Sequence, residues 1–151
     1  MNTPFKSLAF GILFVASLVA CTKEPSLPPK ERFLSDKPWY VTAYTVQLGS
    51  RYEDRLSAMP NCLRDDIYVF TAKKQYEYNA GATKCAPNDA QVIHTGIWSL
   101  SEDGSTLKIN IKTGDSGLGL YEYKVTELSE SMLQLQYSDG GFVYRLLFEH
   151  P

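Results

Sequence analysis

From Trp39 to Glu149 the apolar residues recur at every second position rather than at every third or fourth. That period admits strands and excludes long amphipathic helices. Leu107, Ile109 and Ile111 alternate with Lys108 and Asn110. Tyr121, Tyr123 and Val125 alternate with Glu122, Lys124 and Thr126, and Leu133, Leu135 and Tyr137 with Gln134 and Gln136. Each ribbon has one apolar face and one wet face, the pattern of an antiparallel sheet. Turn residues divide the body into eight expected strands: 39–48, 66–71, 74–80, 91–100, 105–112, 119–127, 131–137 and 141–149. Glu102-Asp103-Gly104 and Ser138-Asp139-Gly140-Gly141 carry hairpin chemistry, because Asp and Gly tolerate the positive φ such turns need. Short connections favour an up-and-down meander. A meander with one apolar face hides that face by curling shut, which also removes its edges. The expected fold is an all-β, eight-stranded antiparallel up-and-down barrel, with a two-layer sandwich as the competing architecture. No helical stretch is long enough for a βαβ crossover, which argues against nucleotide-binding α/β folds.

The N-terminus reads as an address rather than a fold. Leu8 to Ala20 is an apolar run of 13 residues behind a single charge, Lys6. A spanning helix needs ~20 residues, so the run fits the hydrophobic region of a signal peptide. It ends in Leu18-Val19-Ala20-Cys21, which resembles the bacterial lipobox. That resemblance implies cleavage before Cys21 and a diacylglycerol on its sulfur, carrying palmitate-type acyl chains. Thr22 in the next position, by analogy with Gram-negative lipoproteins, points to the outer membrane. Each buried CH₂ contributes ~0.8 kcal/mol, so several chains anchor a small domain firmly. The division expected is therefore 1–20 signal peptide, 21–37 lipidated cysteine and Pro-rich tether, and 38–151 barrel. Pro25, Pro28, Pro29 and Pro38 make the tether semi-rigid. Phe33 and Leu34 either form one short turn capping the domain or belong to a disordered run up to Pro38.

Cys62 and Cys85 remain once lipidation takes Cys21. In an exported chain two such cysteines pair. They flank the strands 66–71 and 74–80, which the short Ala72-Lys73-Lys74 turn joins, and antiparallel pairing brings the outer ends of that hairpin together. A redox or metal pair is the alternative, but no third ligand is in view and the spacing fits no zinc template. The metal expectation is none, and so is the cofactor expectation.

Three segments together resemble a known family. They are Cys62-Leu63-Arg64-Asp65-Asp66-Ile67-Tyr68-Val69-Phe70, then Tyr76 through Asn79 with Gly81 and Cys85, then Gly96-Ile97-Trp98-Ser99-Leu100. With Trp39 as the early tryptophan, their order and spacing resemble the lipocalin-like domains of bacterial lipoproteins of the Bacteroidetes type. The resemblance spans most of 38–149. It implies an eight-stranded barrel, a Cys62–Cys85 bridge and no known enzymatic activity. Lys37-Pro38-Trp39 departs from the Gly-x-Trp that true lipocalins carry in their first strand.

Catalytic chemistry is sparse. A hydrolase needs a nucleophile, a base and an orienting partner, and the chain has two histidines. His150 is penultimate and expected to be exposed; His94 shares a face with Gly96 and Trp98. Asp66 is expected to cap or to pair with a cation near the disulfide, and Asp103 to serve a turn. The Gly-rich segment 112–119 lacks the ending of a phosphate loop and reads as a hairpin tip at a barrel mouth. The net charge of −2 argues against a nucleic-acid-binding surface. Tyr76, Tyr78, His94, Trp98, Tyr121, Tyr123 and Tyr144 fall on alternating positions of separate strands. Tyrosine joins an apolar body to a polar tip, which suits a ligand cavity wall, although the same pattern would serve a core filled with rings. The reading favoured is a lipid-anchored envelope protein that binds a small or lipid-like molecule without catalysis. The alternative is an accessory or inhibitor module that meets a protein partner through loops 49–61 and 112–119.

Overall fold

The computed structural model describes residues 27–112 and 118–150. The leader, Cys21 and the tip of the 112–119 segment lie outside the described residues. A short helix, α1 (Pro29–Leu34), precedes nine strands: β1 (Pro38–Leu48), β2 (Arg51–Asp54), β3 (Ile67–Phe70), β4 (Gln75–Asn79), β5 (Val92–Leu100), β6 (Thr106–Lys112), β7 (Leu118–Leu128), β8 (Met132–Asp139) and β9 (Phe142–Glu149). All eight expected strands are present within one or two residues. Consecutive strands from β3 to β9 pair antiparallel. β1 then pairs with β9 from Tyr40↔Glu149 to Gln47↔Val143 and with β3 at Pro38–Tyr40, which shuts an eight-stranded barrel.

β2 falls within the span expected to be a loop. It pairs with the far end of β1, from Thr45↔Asp54 to Leu48↔Arg51, and stands outside the closed ring as a flap. All four of its residues are exposed, so no apolar alternation marks it. The local signal is the two-residue Gly49-Ser50 turn, with Gly49 at φ 61°, a hairpin geometry that glycine adopts without cost. The Arg145 guanidinium of β9 lies 4.6 Å from the centre of the Tyr52 ring and holds the flap from the outside.

The barrel has a sealed end and an open end. At the sealed end, residues 29–36 form the plug, so Phe33 and Leu34 belong to a short helix that caps the domain. Proline suits the first turn of a helix, where its missing N–H has no partner to lose. Leu34 is fully buried beneath the helix and accepts a 3.0 Å hydrogen bond from the Trp39 indole. Asp36 donates its N–H to Phe70 and accepts from the Ala72 N–H, stitching the plug to the β3–β4 turn. The second tryptophan, Trp98, is held in the same way, its indole donating to the Thr71 carbonyl at 3.0 Å. Lys74 covers its ring at 4.2 Å, and Lys37 covers Trp39 at 4.9 Å. Around them Phe70, Leu107, Leu133, Leu135 and Phe148 complete the core. Each such side chain contributes ~1.5–3 kcal/mol by leaving water.

Gly96 in β5 is a position where only hydrogen fits. A Cβ there would lie 2.1 Å from the Asn110 carbonyl oxygen on β6, and neither backbone can yield without breaking the ladder. Gly96→Ala is expected to destabilise the fold by about 1–3 kcal/mol. Urea unfolding checks this, and an unchanged midpoint would show that β5 and β6 separate freely.

Candidate functional site

Strand register, rather than proximity in sequence, gathers the candidate side chains. Tyr76 lies opposite Gly96, Tyr78 opposite His94, Trp98 and Tyr121 opposite Ile109, Tyr123 opposite Leu107, and Tyr144 opposite Tyr137. Because alternate residues share a face, all seven occupy the inward positions of the barrel. They stand at different depths. Trp98 and Tyr76 are 2% and 5% exposed and belong to the core at the sealed end. Tyr78, Tyr123 and Tyr144 are half-buried higher up, while His94 and Tyr121 reach the open rim.

Tyr44, Tyr68 and Tyr137 share this face and were not among the sequence candidates. Tyr137 was legible, since it continues the Leu133–Leu135 alternation. Tyr44 was hidden by a β-bulge between Val41 and Ala43 that shifts the register of β1, so that both Val41 and Tyr44 turn inward. Tyr68 sits between Ile67 and Val69, where every position is apolar and alternation gives no direction.

Two aromatic groups line the open half. On one wall Tyr68 and Tyr78 lie 4.7 Å apart, His94 stacks on Tyr78 at 6.1 Å, and the Tyr78 hydroxyl donates to Asp66. On the other, Tyr137 stacks on Tyr144 at 4.8 Å, Tyr123 meets Tyr137 edge-on at 5.7 Å, and the Tyr44 and Tyr137 hydroxyls share a 3.0 Å hydrogen bond. Such pairs contribute ~0.5–1.5 kcal/mol each beyond their buried area.

Burial raises the pKa of five tyrosines. Tyr68 is pushed up to about 12, and Tyr76, Tyr78, Tyr123 and Tyr137 are pushed further in the same direction. Desolvation of the phenolate is the main cause. Neighbouring tyrosines add to it: Tyr76 feels Tyr68, Tyr123 and Tyr121, and Tyr123 feels Tyr68, Tyr121 and Tyr44. These groups fold neutral and unfold to ordinary phenols of pKa 10.0. Their contribution to stability is therefore complete below pH 10 and is lost as pH rises, for Tyr68 through about 12. Tyrosinate absorbance on alkaline titration should show these five ionising only as the barrel unfolds. Smooth ionisation of every tyrosine in a still-folded protein would contradict the burial.

Cys62 and Cys85 are bridged, with Cα atoms 5.1 Å apart, as the hairpin argument anticipated. Beside the bridge, Asp65 accepts from both the Thr83 N–H and the Thr83 hydroxyl, so the two rim loops are tied twice. Asp66 departs from expectation. It neither caps a helix nor meets a cation, but lies 2% exposed, accepting from the Tyr78 hydroxyl and the Gly81 N–H. His150 also departs from it: the ring is half-buried, 3.0 Å from the Pro38 carbonyl oxygen and 6.2 Å from the Trp39 ring, because β9 runs back beside the start of β1. Asp103 serves the β5–β6 turn as expected, accepting from Ser101 and Ser105. Among the described residues, no group of three or more His, Cys, Asp or Glu side chains is placed to hold a metal ion.

A separate concavity of about 620 Å³ lies on the outer wall, over the outward positions of β3 to β6, including Val69, Glu77, Thr95, Ile97 and Asn110. Ile97 and Leu120, on either side of Asn110 in the ladder, are 59% and 61% exposed.

Residues 37–135 match a family described as lipocalin-like domain. Among solved structures, the chain is similar to a lipocalin-like protein from Bacteroides uniformis, with a TM-score of 0.50 and 18% identity, over 78% of this chain and 97% of that one. No curated protein matches it.

Proposed function

Since this chain belongs to the lipocalin-like domain family, we propose that it is a lipid-anchored envelope protein whose barrel binds, without catalysis, a small or lipid-like molecule at its open end. The observation that supports this reading is the pair of tyrosine-rich ring groups that face the interior on separate walls, above a floor formed by Leu34 and Trp39. Rings supply apolar contact and hydroxyls supply orientation, the combination that small-molecule sites use. Trp98 and the Tyr76 ring form the base; Tyr78, Tyr123, Tyr144 and His94 form the wall.

The anchor rests on the apolar run Leu8–Ala20 and on Cys21. α1 begins at the sealed end, and a chain of seven residues, the number between Cys21 and Pro29, reaches at most about 25 Å. The membrane then lies below the plug and the tyrosine-lined mouth opens away from it, with the outer membrane as the expected location. Mass spectrometry of protein extracted gently from its host tests both parts. An acyl mass on Cys21 together with a non-covalent adduct is the expected result. An unmodified Cys21 would overturn the anchor, and a barrel that is persistently empty would overturn the binding role.

A protein-facing role is the second reading, favoured by the exposed Ile97 and Leu120 on the outer wall. Crosslinking on intact cells separates the two, since this role requires one specific partner attached through β5 or β7.

A further inference from the structure

The concavity of about 620 Å³ on the outer wall holds a single charge: among the described residues that line it, Glu77 alone is charged. Its side chain is half-buried on the outward face of β4, opposite Thr95 of β5. The Asn79 amide donates to Glu77 Oε1 at 2.7 Å and fixes the direction of the carboxylate. Among the described residues Glu77 forms no ion pair. On the outer face of β6, Lys108 is taken by Glu122 at 3.0 Å. Lys112 continues the alternation of Lys108 and Asn110 at the end of that strand. Its side chain lies outside the described residues, and it is therefore varied in the experiment.

The surroundings of this carboxylate are aliphatic or neutral. Val69 stands opposite Glu77 across β3 and β4, and Ile97 opposite Gln75 across β4 and β5. A lysine side chain answers both features, because its methylene stem lies along apolar surface while its ammonium reaches an acceptor. Arginine suits the groove less well. Its fork binds both oxygens of a carboxylate, and Asn79 already holds Oε1. An uncharged or acidic side chain would desolvate Glu77 without giving it a partner, which is unfavourable. The apolar surface also runs past the groove: Ile97 at its edge and Leu120 beyond it are 59% and 61% exposed. A small amine would leave Leu120 bare, whereas a protein presenting the lysine would cover it.

We propose that the outer wall over β3 to β6 docks a partner protein by accepting one of its lysine side chains on Glu77, with aliphatic neighbours of that lysine against Ile97 and Leu120. The proposal rests on the protein-facing reading and adds to it the chemistry of the partner. The test titrates the mature chain, labelled at isoleucine methyls, with blocked pentapeptides Thr-Val-Xaa-Val-Thr, where Xaa is lysine, norleucine or glutamate. The lysine peptide should shift the Ile97 methyl most and bind about fivefold tighter than the norleucine one, the ratio given by ~1 kcal/mol of ion pairing. The glutamate peptide should bind weakest. Glu77→Gln should bring the lysine and norleucine peptides within about twofold of each other, and should lower the yield of a photo-crosslink formed from position 120 in intact cells. Lys112→Gln should not weaken the lysine peptide; a loss there would show that Glu77 is not its acceptor and would overturn the proposal. n-Butylammonium, the side chain without its chain, should bind several-fold more weakly than the lysine peptide, and equal affinity would assign the groove to small amines and overturn docking. Equal affinity for lysine and norleucine, or a crosslink to a partner that Glu77→Gln leaves unchanged, overturns lysine recognition while the protein-facing role stands. No methyl shift with any peptide and no partner at position 120 overturns both.

Discussion

Replacing Trp39 by alanine is expected to cost about 3–5 kcal/mol of folding stability, a large share of the ~5–15 kcal/mol that holds a domain of this size together. Trp39 is fully buried, and its indole N–H is spent on the Leu34 carbonyl. It also packs between α1, the first turn of the barrel and the His150 ring. Truncation therefore opens a cavity and removes the partner that holds the plug in place. Urea unfolding followed by Trp98 fluorescence reads the loss. Trp39→Phe retains most of the volume but loses the donor, so it should fall between wild type and alanine. If the two variants are equally destabilised, the hydrogen bond to the plug rather than the packing dominates. If neither is destabilised, α1 does not seal the barrel.

The second large effect concerns the bridge. Cys62 and Cys85 are 23 residues apart in sequence. In the loop-entropy account, a bridge closing a loop of that size removes ~3 kcal/mol of freedom from the unfolded chain. Cys62→Ala with Cys85→Ala, or reduction of the wild type, should lower stability by about that amount, read as a shift in the urea midpoint with the circular dichroism of the native barrel retained. The expected change is confined to the rim, since Asp65–Thr83 still joins the two loops. A midpoint that does not respond to reductant would mean that the unfolded chain is already restricted there. Because Asp66 and Tyr78 sit beside the bridge, loosened rim loops should also weaken any ligand held by Tyr78 and His94.

How far the site could be read from sequence differs by residue. Tyr121, Tyr123 and Tyr144 announce their face because charged neighbours alternate with them: Glu122, Lys124 and Arg145. Tyr68 is flanked by apolar residues on both sides and announces nothing. Tyr44 is out of phase with Trp39 and Val41, and only the bulge in β1 brings it inward. Asp66, in an Asp-Asp pair, was expected to cap or to meet a cation near the bridge, and it is buried instead. Its burial follows from the Gly81 backbone approaching so closely that a Cβ there would fall 2.0 Å from the Asp65 carbonyl oxygen. A contact of that kind joins two loops and leaves no local mark.

The alternation of side chains, the Gly-bearing turns and the cysteine spacing are short-range properties. They were enough to determine eight strands, their boundaries within a residue or two, the bridge and most of the inward face. Closure is another matter. Which strands meet across the seam, which end is sealed, and where β2 attaches depend on β1 dividing one edge between β2 and β3 while giving the other to β9. The helix over the sealed end is six residues long, too short to be stable alone. It exists because Leu34 and Trp39 bury each other, a contact that requires the finished barrel beneath it.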